Sequence, residues 1–525
     1  MKQTQFPKAA ASRLAGERRT TMDTACVSAG ERSRRFPQHK CLSLCLVAAL
    51  WHSQFVYGQT ADVLRPEVSK YARVSTPGVI LEHVRIIDGT GAPPQSDQNI
   101  AIEHGRIVAI GPGADRPQSA DVAVLDLRGY AVIPGIVGMH DHLLFNARPN
   151  LQADGSFDRP MLSVPMSFSA PRLYLANGVT TIRTAGSVEP QTDVNLKQAI
   201  EKGVVPGPHL EVTGPFLGGP GLHALVLTAP EEARETVAFW ADRGVTSFKA
   251  YVNITRAELQ AVVAEAHKRG LKVLGHLCSV TYAEAAEAGI DSLEHGFFVN
   301  TQFDPGKEPD KCSDSRGDYT LEHMSAEQAD HLFTTLIQHH VAITSTLPST
   351  AFSVPSLNQD RDGKPPLTPA ALAAMSVGAR EAYFIDLKRE RTRGRDLSKL
   401  LRRGMELERA FVARGGLLIA GSDPVGLFGS VPGFADHREI ELLVEAGFTP
   451  VQAIQIATLN GAIFLGRQDQ IGSISIGKNA DLVVIKGDPA AHISDIENVE
   501  IVFKDGVGYD SQKLLDSAKG HYGDF

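Results

Sequence analysis

The stretch VIPGIVGMHDHLLF, residues 132–145, runs apolar past Pro134 and Gly135 and then delivers His140, Asp141 and His142. Side chains alternate faces along a strand, so the two histidines point one way and Asp141 the other. A histidine in an apolar strand is ordinarily a packed core residue with a hydrogen-bonded ring. Two imidazoles side by side in such a setting leave ring nitrogens in need of partners, which is costly. A metal ion satisfies both, because neutral imidazole is a common ligand for zinc and similar ions. The pair alone leaves both readings open; carboxylates and further histidines elsewhere decide between them.

Outward from this strand the chain divides into two textures. Before it, GVILEHVRIIDGTG, QNIAIEHGRIVAIGPG and VAVLDLRGYAV are apolar runs punctuated by glycine turns, and the same texture returns in IGSISIGKNADLVVIKGDP and VEIVFKDGVGY near the far end. These blocks, residues 78–134 and 466–525, are expected to pair into a small β-sandwich built from both chain ends. Between them, residues 135–465 alternate strand and helix. SFKAYVNI reads as a strand. TRAELQAVVAEAHKRG reads as a helix with a Thr255/Glu258 capping box and Gly270 as its stop, and TYAEAAEAG repeats the box with Thr281 and Glu284. Repeated β-α units imply a parallel sheet, and a middle segment of about 330 residues suits a TIM-like (β/α)8 barrel in an α/β protein. The stretch from Gly296 to about Ser325 reads as polar loop, and Pro369 to Arg414 as charged helix over the barrel mouth.

The active site of a parallel barrel lies at the carboxyl ends of its strands. His140 and His142 end the first strand, His276 ends LKVLGH, His295 ends IDSLEH, Asp423 ends GGLLIAGSD, and Lys249 lies inside SFKAYV. Each alone has an ordinary structural explanation; together they favour a metal centre. Lys249 is the most informative, because a lysine among Phe248, Ala250, Tyr251 and Val252 is costly to bury as a cation. Burial lowers its pKa, and a neutral amine carbamylated by carbon dioxide becomes an anionic group with two oxygens, able to bridge two metal ions.

These motifs, PGIVGMHDH, SFKAY, VLGHL, SLEHG, AGSDP and the tail ATLNGAIFLGRQDQIGSISIGKNADLVVIKGDP, resemble the amidohydrolase superfamily in its binuclear, carboxylated-lysine form. Within it the chain is similar to the imidazolonepropionase-like group, which includes Xaa-Pro dipeptidases. The resemblance spans about Val79 to Tyr509. It implies that His140, His142 and Asp423 bind a first divalent metal, His276 and His295 a second, and N6-carboxylated Lys249 bridges them, the metals being zinc by expectation. It further implies hydrolysis of an amide or peptide-like C–N bond, with Asp423 as the proton-transferring catalytic group. Tyr251 and His223 are the expected substrate contacts. Two motifs depart from the family pattern: TTIRTAG carries Thr184 where an aspartate is usual, and GGPGLHAL is a looser version of a glycine-histidine loop. Both bear on substrate contacts more than on metals.

Other readings stay open. A lactonase or phosphotriesterase would use the same metals. A mononuclear deaminase would not need Lys249 and usually carries an acid three residues after the histidine that ends LKVLGH, where this chain has Ser279. A catalytically inactive scaffold would have lost ligands, and none is lost. GSISIGKN approaches a phosphate-binding loop but lacks the final Ser or Thr and the following helix. No G-x-S-x-G elbow occurs. His267, His331, His339 and His340 lie in helical text and read as surface residues, whereas His437, in FADHREIELL, is weighed as a residue near the mouth.

With 525 residues, 43% hydrophobic and 21% charged, the composition is that of a globular protein, and a net charge of −8 argues against nucleic acid as a partner. The expected ligand is a small-molecule or short peptide-like substrate, and a homo-oligomer is open. Residues 1–58 read as a leader: ERSRRFPQHK is basic, CLSLCLVAALWHSQFVYG is a short apolar block, and Val56 and Gly58 precede a cleavage point before Gln59. This predicts an exported protein, periplasmic or secreted, without a stable membrane span. Three of the five cysteines, Cys26, Cys41 and Cys45, fall in the leader, leaving Cys278 and Cys312 as one potential pair and no disulfide framework.

Overall fold

The computed structural model describes residues 64–524 apart from 115–116, 157–161, 222–223, 355–356, 358–366, 395 and 428. The leader and its three cysteines, and His223, lie outside the described residues. Among the described residues no helix is long and apolar enough to cross a membrane.

The two strand-rich blocks meet in one nine-stranded sheet. Its seam is the antiparallel pairing of Tyr130–Pro134 with Leu482–Lys486, in register from Pro134–Leu482 to Tyr130–Lys486. Alternation along these strands serves two cores. Val132, Leu482, Val484, Ile501 and Phe503 pack with Val79, Leu81 and Ile100 inside the sheet's own cluster. Ile133, Val483, Ile485 and Val502 face the main core instead, together with the helix Ser169–Ala176. The chain ends in a helix, Ser511–Ala518, whose Ser511 hydroxyl donates to Ala176 O.

The middle segment holds parallel strands separated by helices. Three of them, Ile136–Asp141, Val179–Thr184 and His209–Glu211, form one sheet. Seven form another, in the order Ala224–Val226, Thr213–Gly218, Ser247–Ala250, Lys272–Gly275, Ser292–Glu294, Ala342–Ser345, Leu418–Ala420. Backbone bonds join the two. Ser422 and Asp423 N–H donate to His140 O at 3.1 and 2.9 Å, and Ser187 N–H donates to Gly214 O at 3.1 Å. Gly421 permits the first joint, because a side chain there would collide with His140. Thr184 sits at the second joint, where its hydroxyl accepts from Thr213 N–H at 2.8 Å. The residue that departs from the family pattern therefore serves strand pairing.

The helices begin where capping chemistry places them. Arg256–Lys268 and Tyr282–Glu287 each carry the full capping box, at Thr255/Glu258 and Thr281/Glu284. The charged stretch after Pro369 forms Pro369–Ala374, Val377–Arg393 and Ser398–Ala413. The second of these ties to the strand after His142 through an Arg148–Asp386 ion pair.

Candidate active site

His140, His142, Lys249, His276, His295 and Asp423 each lie at or just beyond the carboxyl end of a parallel strand, or inside one near its end. His140 and Asp141 close Ile136–Asp141, and His142 follows directly. His276 follows Lys272–Gly275, and His295 follows Ser292–Glu294. His295 and Asp423 have left-handed backbones, with φ of 66° and 49°, so the chain turns sharply at both residues as it leaves its strand.

His140, His142 and Asp423 converge, with ligand atoms all within 4.8 Å of one another. Asp423 Oδ1 is 3.5 Å from His140 Nε2 and 3.2 Å from His142 Nε2. The ring of His295 lies 4.5 Å from those of His140 and His276, so four imidazoles share one space. Asp141 points away, as alternation requires, and accepts from Ser422 Oγ at 2.8 Å.

The second ring nitrogens have partners of their own. His140 Nδ1 meets Glu294 Oε2 at 2.5 Å, His142 Nδ1 meets Gly186 O at 3.3 Å, and His295 Nδ1 meets Thr346 Oγ1 at 2.9 Å. Glu294 is fully buried and anchored by Arg183, whose Nη2 lies 3.0 and 3.2 Å from its two oxygens, and by Ser292 Oγ at 2.7 Å. Arg183 also donates from Nε to Met139 O at 2.8 Å. Sequence reasoning missed Glu294, Arg183 and Thr346. One signal was present for Glu294: Ser292 and Glu294 place two polar residues on the same face of a buried strand.

Electrostatics separate these groups. Burial pushes His276 down to about 3, and it drives His295 well below and His142 below the ordinary imidazole value. The imidazoles of these three are therefore neutral, the form that binds metal. Burial acts to raise Asp423, but its contacts with the His140 and His142 rings outweigh it and hold the acid well below its usual range. Burial likewise opposes ionisation of Glu294, and the Arg183 charge and His140 reverse the balance.

Lys249 is 1% exposed, and its Nζ has no hydrogen-bond partner among the described residues. Burial pushes its pKa down to about 8. Tyr251 is half-buried beside His276, with ring centroids 5.3 Å apart, and meets Phe216 edge-on at 5.0 Å. Burial raises the Tyr251 phenol to about 12.

Other residues are placed away from this centre. His437 is 1% exposed, its Nε2 lies 2.7 Å from Asn177 O, and burial lowers it to about 4. It is a packed helix residue rather than one at the mouth. His267 pairs with Asp291 at 2.9 Å on the surface. Lys478 of GSISIGKN closes its own turn through Ser473 Oγ at 2.6 Å. A second potential donor group, His209, Asp481 and Asp505, lies where strand His209–Glu211 begins. There Lys504 Nζ sits 3.2 Å from Asp505 Oδ2 and already supplies a cation, so this group reads as a structural ion cluster.

The sequence profile of the amidohydrolase family matches residues 131–507, and the chain belongs to that family. Among curated proteins, the imidazolonepropionase of Parabacteroides distasonis is 50% identical over 38 residues, 7% of this chain and 9% of that protein. The chain spans no more than a tenth of the length of the curated relatives it matches. Among solved structures, a Bifidobacterium longum protein described as a prolidase superposes with a TM-score of 0.60 at 25% identity, covering 84% of this chain and 99% of that one. A Xaa-Pro dipeptidase with bound methionine gives a TM-score of 0.60 at 23% identity, over 82% and 100%. The fold is that of the amidohydrolases.

Proposed function

We propose that the chain is a metal-dependent hydrolase of an amide or peptide-like C–N bond, with two divalent cations held at the carboxyl ends of an eight-stranded (β/α)8 barrel. Counting Thr213–Gly218 as the continuation of His209–Glu211, and Ala224–Val226 as an extra edge strand, leaves eight parallel strands around one site. The observation that carries the reading is the donor set. His140, His142 and His295 each engage an oxygen through Nδ1, leaving Nε2 for a ligand, as metal-binding histidines ordinarily do. Lys249 beside them is buried without a partner, which suits an amine that carbon dioxide converts to a bridging carbamate. In that step the amine nitrogen adds to the carbon of CO2 and sheds one proton. His140, His142 and Asp423 would hold one cation, His276 and His295 the other, and carboxylated Lys249 both. Imidazole and carboxylate donors suit zinc.

When bound, the cations would supply Lewis acidity for a carbonyl oxygen and lower the pKa of an attacking water. Asp423, kept ionised, accepts the proton of that water and passes it to the leaving amine. Tyr251, raised to about 12, remains a phenol at neutral pH and can donate to the oxygen on which charge develops. The position that carries an acid in mononuclear deaminases is Ser279, whose hydroxyl donates to Val252 O at 3.0 Å and to Ile254 O, which weighs against that reading.

The test is metal content with a substrate panel of N-acyl amino acids, Xaa-Pro dipeptides and lactones. Near two metals per chain with amide hydrolysis supports the reading; near one with deamination, or none with no turnover, refutes it. We also propose export, supported by the Cys278–Cys312 disulfide, since such bonds persist in oxidising compartments. A native protein that retains residues 1–58 in the cytoplasm would refute it.

A further inference from the structure

Asp436 and Glu439 have no part in the chemistry proposed above. They lie three residues apart on the helix Phe434–Glu445, 4% and 1% exposed, and so share one buried face of it. A carboxyl buried this deeply is costly unless hydrogen bonds replace those it made to water. Glu439 Oε2 accepts from Leu347 N–H at 2.8 Å. Leu347 follows Thr346, whose hydroxyl meets His295 Nδ1 at 2.9 Å. Asp436 Oδ2 lies 3.1 Å from Ser422 Oγ, and Asp141 Oδ1 lies 2.8 Å from the same hydroxyl. Ser422 directly precedes Asp423. Asp436 Oδ2 also accepts from Gly433 N–H at 2.9 Å, which ties the carboxyl to the start of its own helix.

His295 and Asp423 both need such support. Their backbones are left-handed, so the alternation that aims side chains along an extended strand does not aim theirs. At His295 a second helix, Ser398–Ala413, adds to it. Its Glu408 accepts from Ser345 Oγ at 3.0 Å, just before Thr346, and a side chain on Gly296, just after His295, would collide with the other oxygen of Glu408. The segment that carries Thr346 is thus bonded on both sides, through the Ser345 hydroxyl and the Leu347 amide.

We propose that Asp436 and Glu439 are positioning residues, one for each metal: Asp436 fixes Asp423 through Ser422, and Glu439 fixes His295 through Thr346. One helix outside the donor set thereby holds the donor geometry of both cations. The proposal rests on the two-metal reading above. It is tested by zinc titration of the metal-stripped full chain, with the two binding steps assigned by the losses in His140→Ala and His276→Ala. Glu439→Leu should weaken mainly the step lost in His276→Ala, by about ten-fold, the low end for a missing supporting partner. Asp436→Leu should weaken mainly the other. Glu439→Gln and Asp436→Asn keep an oxygen that accepts the same bonds, and should stay close to wild type. Thr346→Val and Ser422→Ala cut the same two paths nearer the ligand with little change in volume, and should show the same split where a leucine variant fails to fold. Equal losses on both steps, equal losses in the leucine and amide variants, or no loss at all overturns the proposal. Hydrogen exchange of the stripped protein separates this failure from that of the two-metal reading. Faster exchange confined to Thr346–Leu347 in Glu439→Leu and to Ser422–Asp423 in Asp436→Leu upholds the positioning, even in a wild type that takes up fewer than two zinc ions. A wild type with near two zinc ions, and variants whose exchange rises uniformly or not at all, refutes the positioning and leaves the reading intact.

Discussion

Glu294→Gln is the sharpest perturbation of the candidate site, because it changes one charge and almost no volume. Glu294 accepts from Arg183, Ser292 and His140 in a fully buried cluster. Removing its charge leaves the 1%-exposed Arg183 guanidinium without a counter-ion, and breaking a buried pair from one side costs about 3–5 kcal/mol. The effect on the metal is separate. A carboxylate can only accept, so it keeps the proton of His140 on Nδ1 and leaves Nε2 bare toward Asp423. The glutamine amide must offer either oxygen or NH2 to Nδ1. If NH2 faces the ring, the proton moves to Nε2 and that nitrogen no longer binds metal; if oxygen faces it, NH2 confronts Arg183. Loss of such a supporting partner typically lowers metal affinity by about 10–100-fold, or ~1.4–2.7 kcal/mol. Urea unfolding of the metal-stripped protein reads the first magnitude, and competitive zinc titration of the folded protein reads the second. Glu294→Asp keeps the charge and the His140 tautomer, and is expected to lose less on both. A Glu294→Gln protein with wild-type zinc affinity would refute the assignment of Glu294 as the residue that orients His140.

Two further perturbations separate chemistry from packing. Lys249→Ala should lose one or both metals and nearly all turnover while still folding; Lys249→Arg should do no better, because arginine stays cationic and does not react with carbon dioxide. An arginine variant with normal metal content and rate would show that Lys249 is a charge or packing residue. Glu408, fully buried with Ser345 Oγ donating at 3.0 Å, is raised by burial from 4.5 to about 8. Its folded value exceeds the unfolded one, so folding retains a proton that the unfolded chain releases, and stability falls as pH climbs from about 4.5 to about 8. Glu408→Gln escapes that loss, and its stability advantage should widen by roughly 3 kcal/mol between pH 5 and pH 7.5 in chemical unfolding; an advantage that does not vary with pH would refute the shift.

The parts of this site that were legible in the sequence are those whose signal is local. A polar residue that closes an apolar strand is conspicuous, and His140, His142, His276, His295 and Asp423 have that form, while Lys249 stands out as a lysine inside one. The pairing of the two strand-rich blocks was legible for a similar reason, since matched apolar runs bounded by turns read as strands wherever they stand. What orients the ligands is not local. Glu294 supports a histidine 154 positions away, and Arg183 reaches Glu294 across 111. His437 shows the converse: its text left a packed position and one near the mouth both open, and its ring turns inward to Asn177 O. Direction was hidden most completely at His295 and Asp423. Period-two alternation assigns a face only while the backbone stays extended, and both residues have left that conformation. Their side chains reach the site because the chain turns at them.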